Sequence, residues 1–154
     1  MLQQQTEREA FTEFVSAVEP RLHMALIGSL GTDLAREATA EALAWAWENW
    51  DRVQGMHNPG GYLYRVARSK IRPWFRRAPL LPAPDTISMP WVEPGLPAAI
   101  AKLSEQQRVV VLLVHAFGWT QAETARFLGI GHGAAQKHSE RGLARLRKHL
   151  GGIE

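Results

Sequence analysis

The feature that most constrains the fold of this 154-residue chain is a cluster of prolines at 78–97. This stretch holds six of the nine prolines in the chain. Because proline fixes φ and lacks a backbone N–H, the stretch cannot form one helix and is typical of an extended linker. The sequence therefore predicts two small domains, at residues 1–77 and 97–154, joined by a linker at 78–96.

Helical periodicity dominates on both sides of this linker. Leu43, Ala46, Trp47 and Trp50 recur at the spacing of one helix face, and no convincing strand-like alternation appears. We therefore predict an all-α fold. Before the linker, proline 20 should separate two helices, and the expected helices lie at about 6–18, 21–30, 32–50 and from residue 59 onward.

The helix that begins at residue 59 is basic and amphipathic. Asn58 can be its N-cap and Pro59 its first residue, where a missing N–H costs nothing. Its predicted buried side consists of Leu63, Ala67, Ile71 and Trp74. The predicted exposed side consists of Tyr64, Arg65, Arg68, Arg72 and Arg76. Pro73 should kink or end this helix.

The C-terminal segment has the pattern of a helix-turn-helix. Expected helices lie at about 98–103, 105–117, 121–128 and 132–149. Ser104 and Thr120 can serve as N-caps, and Gly129 begins a tight turn into the last helix. Ala135, Leu143 and Leu146 are available for the inner side of that helix.

Charge is distributed unevenly along the chain, although the net charge is only +3. The net charge is −5 over residues 1–50, +6 over residues 51–77 and +3 over residues 103–154. Two separate basic segments on helices favour a polyanionic partner such as nucleic acid. The chain has no cysteine, and we identify no secretory signal or apolar stretch of membrane-spanning length, so we expect a cytoplasmic protein without a membrane association.

Nothing in the sequence indicates an enzyme, a metal site or a cofactor. No nucleophile with a base and no phosphate-cradling glycine loop is evident. His132 and His138 are six residues apart and do not share a helix face. Glu37 and Glu41 are spaced i, i+4 without a histidine partner, which is typical of a solvated acidic face.

Two stretches before the linker and one after it resemble a known family. EATAEALAWAWENWDRV at 37–53 and NPGGYLYRVARSKIRPWFRR at 58–77 resemble domain two of bacterial RNA polymerase sigma factors of the extracytoplasmic-function group. LSEQQRVVVLLVHAFGWTQAETARFLGIGHGAAQKHSERGLARLRKHL at 103–150 resembles domain four of the same group. The order, the spacing and the linker between them also match.

The resemblance implies a role for each region. It assigns Glu37 and Glu41 to a helix that docks on core RNA polymerase. It assigns opening and reading of the −10 promoter element to Asp51, Arg52, Asn58, Tyr62, Tyr64, Arg65, Arg68 and Arg72. It assigns reading of the −35 element to Thr120, His132, Gln136, Lys137, Arg141 and Arg145.

These residue types suit the implied roles. Tyr62 and Tyr64 can stack on unpaired bases at roughly 1–3 kcal/mol per base. Gln136 can read adenine, and Lys137 or Arg141 can read guanine. Thr120 can present backbone N–H groups to a phosphate at a helix start, and Asn58 can bond a base edge, although capping its own helix is the favoured use.

The expected function is promoter recognition and transcription initiation with core RNA polymerase and promoter DNA as partners. Members of the group are often held inactive by an anti-sigma factor, which makes such a protein a candidate partner. Two alternatives remain open: a free-standing helix-turn-helix regulator that binds duplex DNA alone, usually as a dimer, and a sigma-like adaptor that does not read DNA.

Overall fold

The computed structural model describes residues 1–75 and 95–151, apart from the side chains of 72–75. The N-terminal half, residues 1–75, contains α1 (Leu2–Leu30), α2 (Thr32–Glu48), α3 (Trp50–Val53) and α4 (Pro59–Phe75). The C-terminal half, residues 95–151, contains α5 (Leu96–Ala101), α6 (Glu105–Val111), a π-helical turn (Leu112–Ala116), α7 (Gln121–Leu128) and α8 (His132–Gly151). The described residues form no strand, which agrees with the predicted all-α fold.

The predicted break at Pro20 is wrong, because α1 runs through it without interruption. Pro20 deprives only the carbonyl of Ser16 of its helical partner, and both residues lie on the exposed side, where water can replace the lost bond. Aromatic packing also holds the first part of the helix in place. The Phe11 ring lies 4.9 Å from Trp47, and the Phe14 ring lies 5.3 Å from Trp50.

Several other boundaries differ from the predictions. The helix expected to reach residue 50 ends at Glu48, and α3 is a separate turn. The helix expected at 98–103 begins at Leu96, and the one expected to reach residue 117 changes to a π-helical turn after Val111. The backbone of α4 continues two residues beyond Pro73, so the helix does not end at that proline, and the alternative of a kink there stays a prediction.

A single hydrophobic core joins the two halves. Leu22, Leu26 and Leu63 of the N-terminal half belong to the same buried cluster as Val109 and Leu113 of the C-terminal half. A smaller cluster of Ala99, Leu103, Val111 and Leu146 lies between α5, α6 and α8. The proposed linker at 78–96 lies almost wholly outside the described residues, so the division into two domains stays a prediction.

Candidate nucleic-acid interface

The helix-turn-helix is held by local caps at both ends of its first helix. The Thr120 hydroxyl accepts a hydrogen bond from the Glu123 N–H at 3.0 Å, and the Glu123 carboxylate accepts one from the Thr120 N–H at 3.4 Å. This reciprocal capping box begins α7. Gly129 ends it with φ of 70°, a left-handed conformation that suits glycine. The predicted cap and turn are confirmed.

The last helix, α8, has a buried side and a polar side. Ala135, Ser139 and Leu146 are buried, as is Gly142, where an added Cβ would come within 2.5 Å of Val111 Cγ2. The absence of a side chain at Gly142 therefore lets α8 pack closely on α6. The five residues predicted on α8 to contact the −35 element are all exposed: His132, Gln136, Lys137, Arg141 and Arg145.

Three predicted −35 contacts already have polar partners. Gln136 Nε2 donates to Glu140 Oε1 at 3.2 Å, and Arg145 Nη1 donates to Gln107 Oε1 at 3.2 Å. The backbone N–H of Thr120 already donates to the Glu123 carboxylate, so a phosphate at this position would have to replace that carboxylate. The side-chain contacts of Gln136 and Arg145 are exposed and can exchange for DNA at small cost.

Helix α4 begins with the predicted cap. Asn58 Oδ1 accepts a hydrogen bond from the Gly61 N–H at 3.2 Å. The Nδ2 of the same side chain donates to the carbonyl of Arg126, in the C-terminal half, at 2.8 Å. Both ends of the Asn58 amide are therefore engaged, and its predicted contact with a base edge would require these bonds to break.

Tyr64 is buried, so its predicted place on the exposed face of α4 is wrong. Only 6% of its surface is exposed, and its ring lies 6.1 Å from that of Phe127 on α7. Burial raises the pKa of the Tyr64 hydroxyl, although the nearby Arg68 opposes this shift. Packing of the C-terminal half on α4 is the physical reason for the difference. Leu63, Ala67 and Ile71 are buried as predicted.

A second aromatic group stays on the surface of the N-terminal half. The Tyr62 ring lies 5.5 Å from Trp45, and the Arg52 guanidinium lies 5.4 Å from the centre of the Tyr62 ring. Arg52 Nη2 also donates to the Tyr62 hydroxyl at 3.2 Å. An unpaired base can stack on this aromatic group while the Arg52 guanidinium holds a phosphate.

The other predicted −10 contacts are placed less closely together. Asp51 is exposed and accepts a hydrogen bond from Gln54 at 3.4 Å. Arg65 is exposed on α4, beside the turn at Gly129. The side chain of Arg72 lies outside the described residues.

Sequence reasoning missed a polar cluster between the halves. Arg68 Nη2, predicted to contact the −10 element, lies 2.6 Å from Glu105 Oε1 at the start of α6. The Ser29 hydroxyl donates to the same carboxylate oxygen at 2.5 Å. Arg108 is 3% exposed and donates to the carbonyls of Gly28 at 2.6 Å and Ser29 at 3.0 Å. A lone arginine directly before the apolar run VVVLLV was the available signal for Arg108.

The acidic pair predicted to contact polymerase lies on the surface of α2. Glu37 and Glu41 are both exposed, and Glu41 Oε2 lies 3.9 Å from Lys70 Nζ on α4. Among the described residues, no group of three or more acidic or histidine side chains could hold a metal ion. None of the described helices is long and apolar enough to cross a membrane.

Comparison with known proteins agrees with this architecture. Residues 95–146 match the family model described as sigma-70, region 4, which covers α5 to α7 and most of α8. The chain is 30% identical over 89 residues to the ECF RNA polymerase sigma factor SigM of Mycobacterium tuberculosis, covering 58% of this chain and 45% of that protein. It is 29% identical over 126 residues to the RNA polymerase sigma-E factor of Streptomyces coelicolor, covering 75% and 71%. The chain is therefore similar to sigma factors, and its C-terminal half matches the sigma-70 region 4 model.

The chain also shares its fold with a sigma factor of known structure. The match is to the sigma factor RpoE of Bartonella quintana, in a co-crystal structure with the anti-sigma factor NepR. The TM-score is 0.64 at 20% identity, and the match covers 92% of this chain and 97% of that one. The chain spans about half the length of the SigM proteins it matches. The resemblance to the extracytoplasmic-function group is confirmed by these relatives.

Proposed function

We propose that this chain is a transcription initiation factor that binds core RNA polymerase and directs it to promoters. The observation that carries the proposal is the exposed polar face of α8 in a region 4 helix-turn-helix. A helix presented in this way can enter the major groove, with its N-terminal residues near base edges and its later basic residues near phosphates. The similarity to named sigma factors supports the same role.

Each half has a proposed share of the promoter. Gln136, Lys137 and Arg141 on α8 would read the −35 element, with His132, Arg145 and Thr120 around them. The surface group of Arg52 and Tyr62, with Asp51 beside it, would capture bases of the −10 element, and Arg65, Arg68 and Arg72 would hold its phosphates. Asn58 and Tyr64 can join them only after the C-terminal half has moved away.

The exposed acidic pair on α2 is the proposed contact with core polymerase. Glu37 and Glu41 lie on one face of α2, and among the described side chains only Glu41 forms an ion pair, at 3.9 Å. Such a weak surface pair can exchange for a polymerase contact at little cost. An anti-sigma factor is a further proposed partner, supported by the co-crystal structure of RpoE with NepR. We further propose that the chain acts with polymerase in the cytoplasm. We also propose that it has no enzymatic activity of its own.

Run-off transcription with purified core polymerase on genomic fragments tests the proposal. Defined transcripts should appear only with the chain present. Lys137→Ala and Arg141→Ala should lower the yield of these transcripts because each removes a contact with the −35 element. Arg65→Ala should lower the yield because it removes a contact with the −10 element. Arg8→Ala, an exposed arginine near the start of α1, is the matched control and should leave the transcripts unchanged.

Two other outcomes would replace this function. Tight binding to duplex DNA with no dependence on polymerase would identify a free-standing helix-turn-helix regulator. Binding to polymerase in a pull-down without any transcript would identify an adaptor.

A further inference from the structure

The exposed face of α8 carries an acidic residue, Glu140, among basic ones. The exposed lysines and arginines of the same helix are Lys137, Arg141, Arg145, Arg147 and Lys148. Glu140 belongs to none of the ion pairs that the described side chains form. A carboxylate on this face weakens the attraction of α8 for phosphates of any sequence, because that attraction is electrostatic. A residue that lowers general affinity on a DNA-reading face is a candidate for determining sequence preference.

Glu140 holds the side-chain amide of Gln136, which lies one helical turn before it. The Nε2 of Gln136 donates to Oε1 of Glu140 at 3.2 Å, and both residues are exposed. An ionised carboxylate has only acceptors, so it faces the NH2 end of the amide and not the Oε1 end. Glu140 therefore sets the direction of the amide. It uses one N–H of Gln136 and leaves the Oε1 and the second N–H for another partner.

The groups that remain on Gln136 match the edge of adenine in the major groove. Gln136 lies about one turn from the start of α8, in the part of a recognition helix that approaches base edges. Adenine presents its N6 amino group as a donor and N7 as an acceptor, which the amide oxygen and one N–H satisfy together. Guanine presents two acceptors, O6 and N7. With the amide held by Glu140, the O6 of guanine would meet the amide oxygen, and the two would repel each other.

An amide without this partner has no fixed direction. The last torsion of a glutamine side chain is broad and roughly two-fold, so the amide can turn over at little cost. A free Gln136 can then offer its NH2 group to the acceptors of guanine as well as its oxygen to the amino group of adenine. The discrimination between adenine and guanine therefore depends on Glu140 as well as on Gln136.

We propose that Glu140 is a positioning residue for sequence recognition, which fixes the amide of Gln136 so that α8 selects adenine over guanine at one position of its site. This inference rests on the proposed function and adds a determinant of sequence preference to the −35 contact. A role limited to helix stability, as for other i, i+4 pairs, would change unfolding and leave base preference unaltered. A purely electrostatic role would change the affinity for all sequences alike.

Selection from a library of duplexes tests this proposal. The whole chain is incubated, with and without core RNA polymerase, with duplexes randomised over about one helical turn, and the bound fraction is sequenced. The unaltered chain should prefer adenine to guanine about tenfold at one position, which is within the range of a bidentate contact. Gln136→Ala identifies that position, because the preference should be lost there while other positions keep theirs.

Glu140→Ala removes the partner of the amide without altering Gln136. The preference for adenine over guanine at that position should fall from about tenfold to about twofold, with other positions unchanged. Binding to all sequences should strengthen, because a negative charge is lost. In the Gln136→Ala background, Glu140→Ala should leave the preference at that position unchanged, as expected for two residues that act together. Alanine favours a helix at an exposed position, so α8 should stay folded, which circular dichroism checks.

Two further variants separate the direction of the amide from the charge. Glu140→Gln keeps the length of the side chain, but its own amide can face either end of Gln136. It should lower the preference for adenine as Glu140→Ala does. Lys148→Ala, at an exposed position near the end of α8, is the matched control for a change of one charge. It should weaken binding to all sequences by the same factor and leave every base preference unchanged.

The outcomes separate this proposal from the proposed function. An adenine preference that is the same in the unaltered chain and in Glu140→Ala refutes the positioning role, even where run-off transcripts are obtained. A preference that depends on Glu140 supports the positioning role, and a missing run-off transcript then counts against the proposed function alone. A chain that selects no sequence, with or without polymerase, contradicts both.

Discussion

The buried guanidinium of Arg108 should be one of the most important single groups for the stability of the packed chain. Arg108 lies on α6 with only 3% of its surface exposed. It donates to the carbonyls of Gly28 and Ser29, which belong to the last turn of α1 and have no partner within that helix. The positive charge also lies at the negative end of the α1 dipole. Arg108 on α6 therefore supplies hydrogen bonds that the last turn of α1 lacks.

The structure gives the size of the effect for Arg108→Met. Methionine fills much of the same space but leaves both carbonyls without a donor. A buried acceptor that loses its partner costs about 1–3 kcal/mol. Burial opposes the charge on Arg108 and lowers its pKa, so relief of that penalty offsets part of the loss. We expect the free energy of unfolding to fall by about 2–4 kcal/mol, which corresponds to a fall in Tm of roughly 6–12 °C for a chain of this size.

Urea denaturation followed by tryptophan fluorescence measures this change, since the chain has six tryptophans. Arg36→Met, at an exposed position on α2, is the control and should change the free energy of unfolding by less than about 0.5 kcal/mol. If the two variants unfold at the same urea concentration, Arg108 does not complete α1 and the reasoning is refuted.

Two further predictions concern Tyr64 and Thr120. In Tyr62→Phe, Tyr64 is the remaining tyrosine. The pH midpoint of its phenolate absorbance should lie above the usual value of about 10, and unfolding in urea should return the midpoint toward that value. A raised pKa stabilises the fold below pH 10, and that contribution is lost as the pH rises through the folded-state pKa; an ordinary titration of Tyr64 would contradict its burial. Thr120→Ala removes the cap of α7 and should lower the free energy of unfolding by about 1 kcal/mol, whereas Thr120→Ser should retain most of it. Equal urea midpoints for the two Thr120 variants would contradict the capping role.

The sequence alone was sufficient for features that depend on a few neighbouring residues. The caps at Asn58, Ser104 and Thr120 and the end of α7 at Gly129 are all formed as predicted. Each of these depends on hydrogen bonds or dihedral angles within about four residues, so the sequence carries the whole signal. The burial of Leu63, Ala67 and Ile71 on α4 was predictable for the same reason, because helical periodicity is local.

Features that depend on contacts between distant residues were decided only by the tertiary structure. Tyr64 was placed on the surface because helical spacing puts it there, and packing against Phe127 buries it. The α1 helix passes through Pro20 because aromatic packing with α2 and α3 outweighs the loss of one exposed hydrogen bond. Arg108 and Glu105 meet partners in the other half of the chain, and the sequence does not indicate which residues those partners are. Local capping determined where α4, α6 and α7 begin, and long-range packing determined which helix faces remain available to DNA.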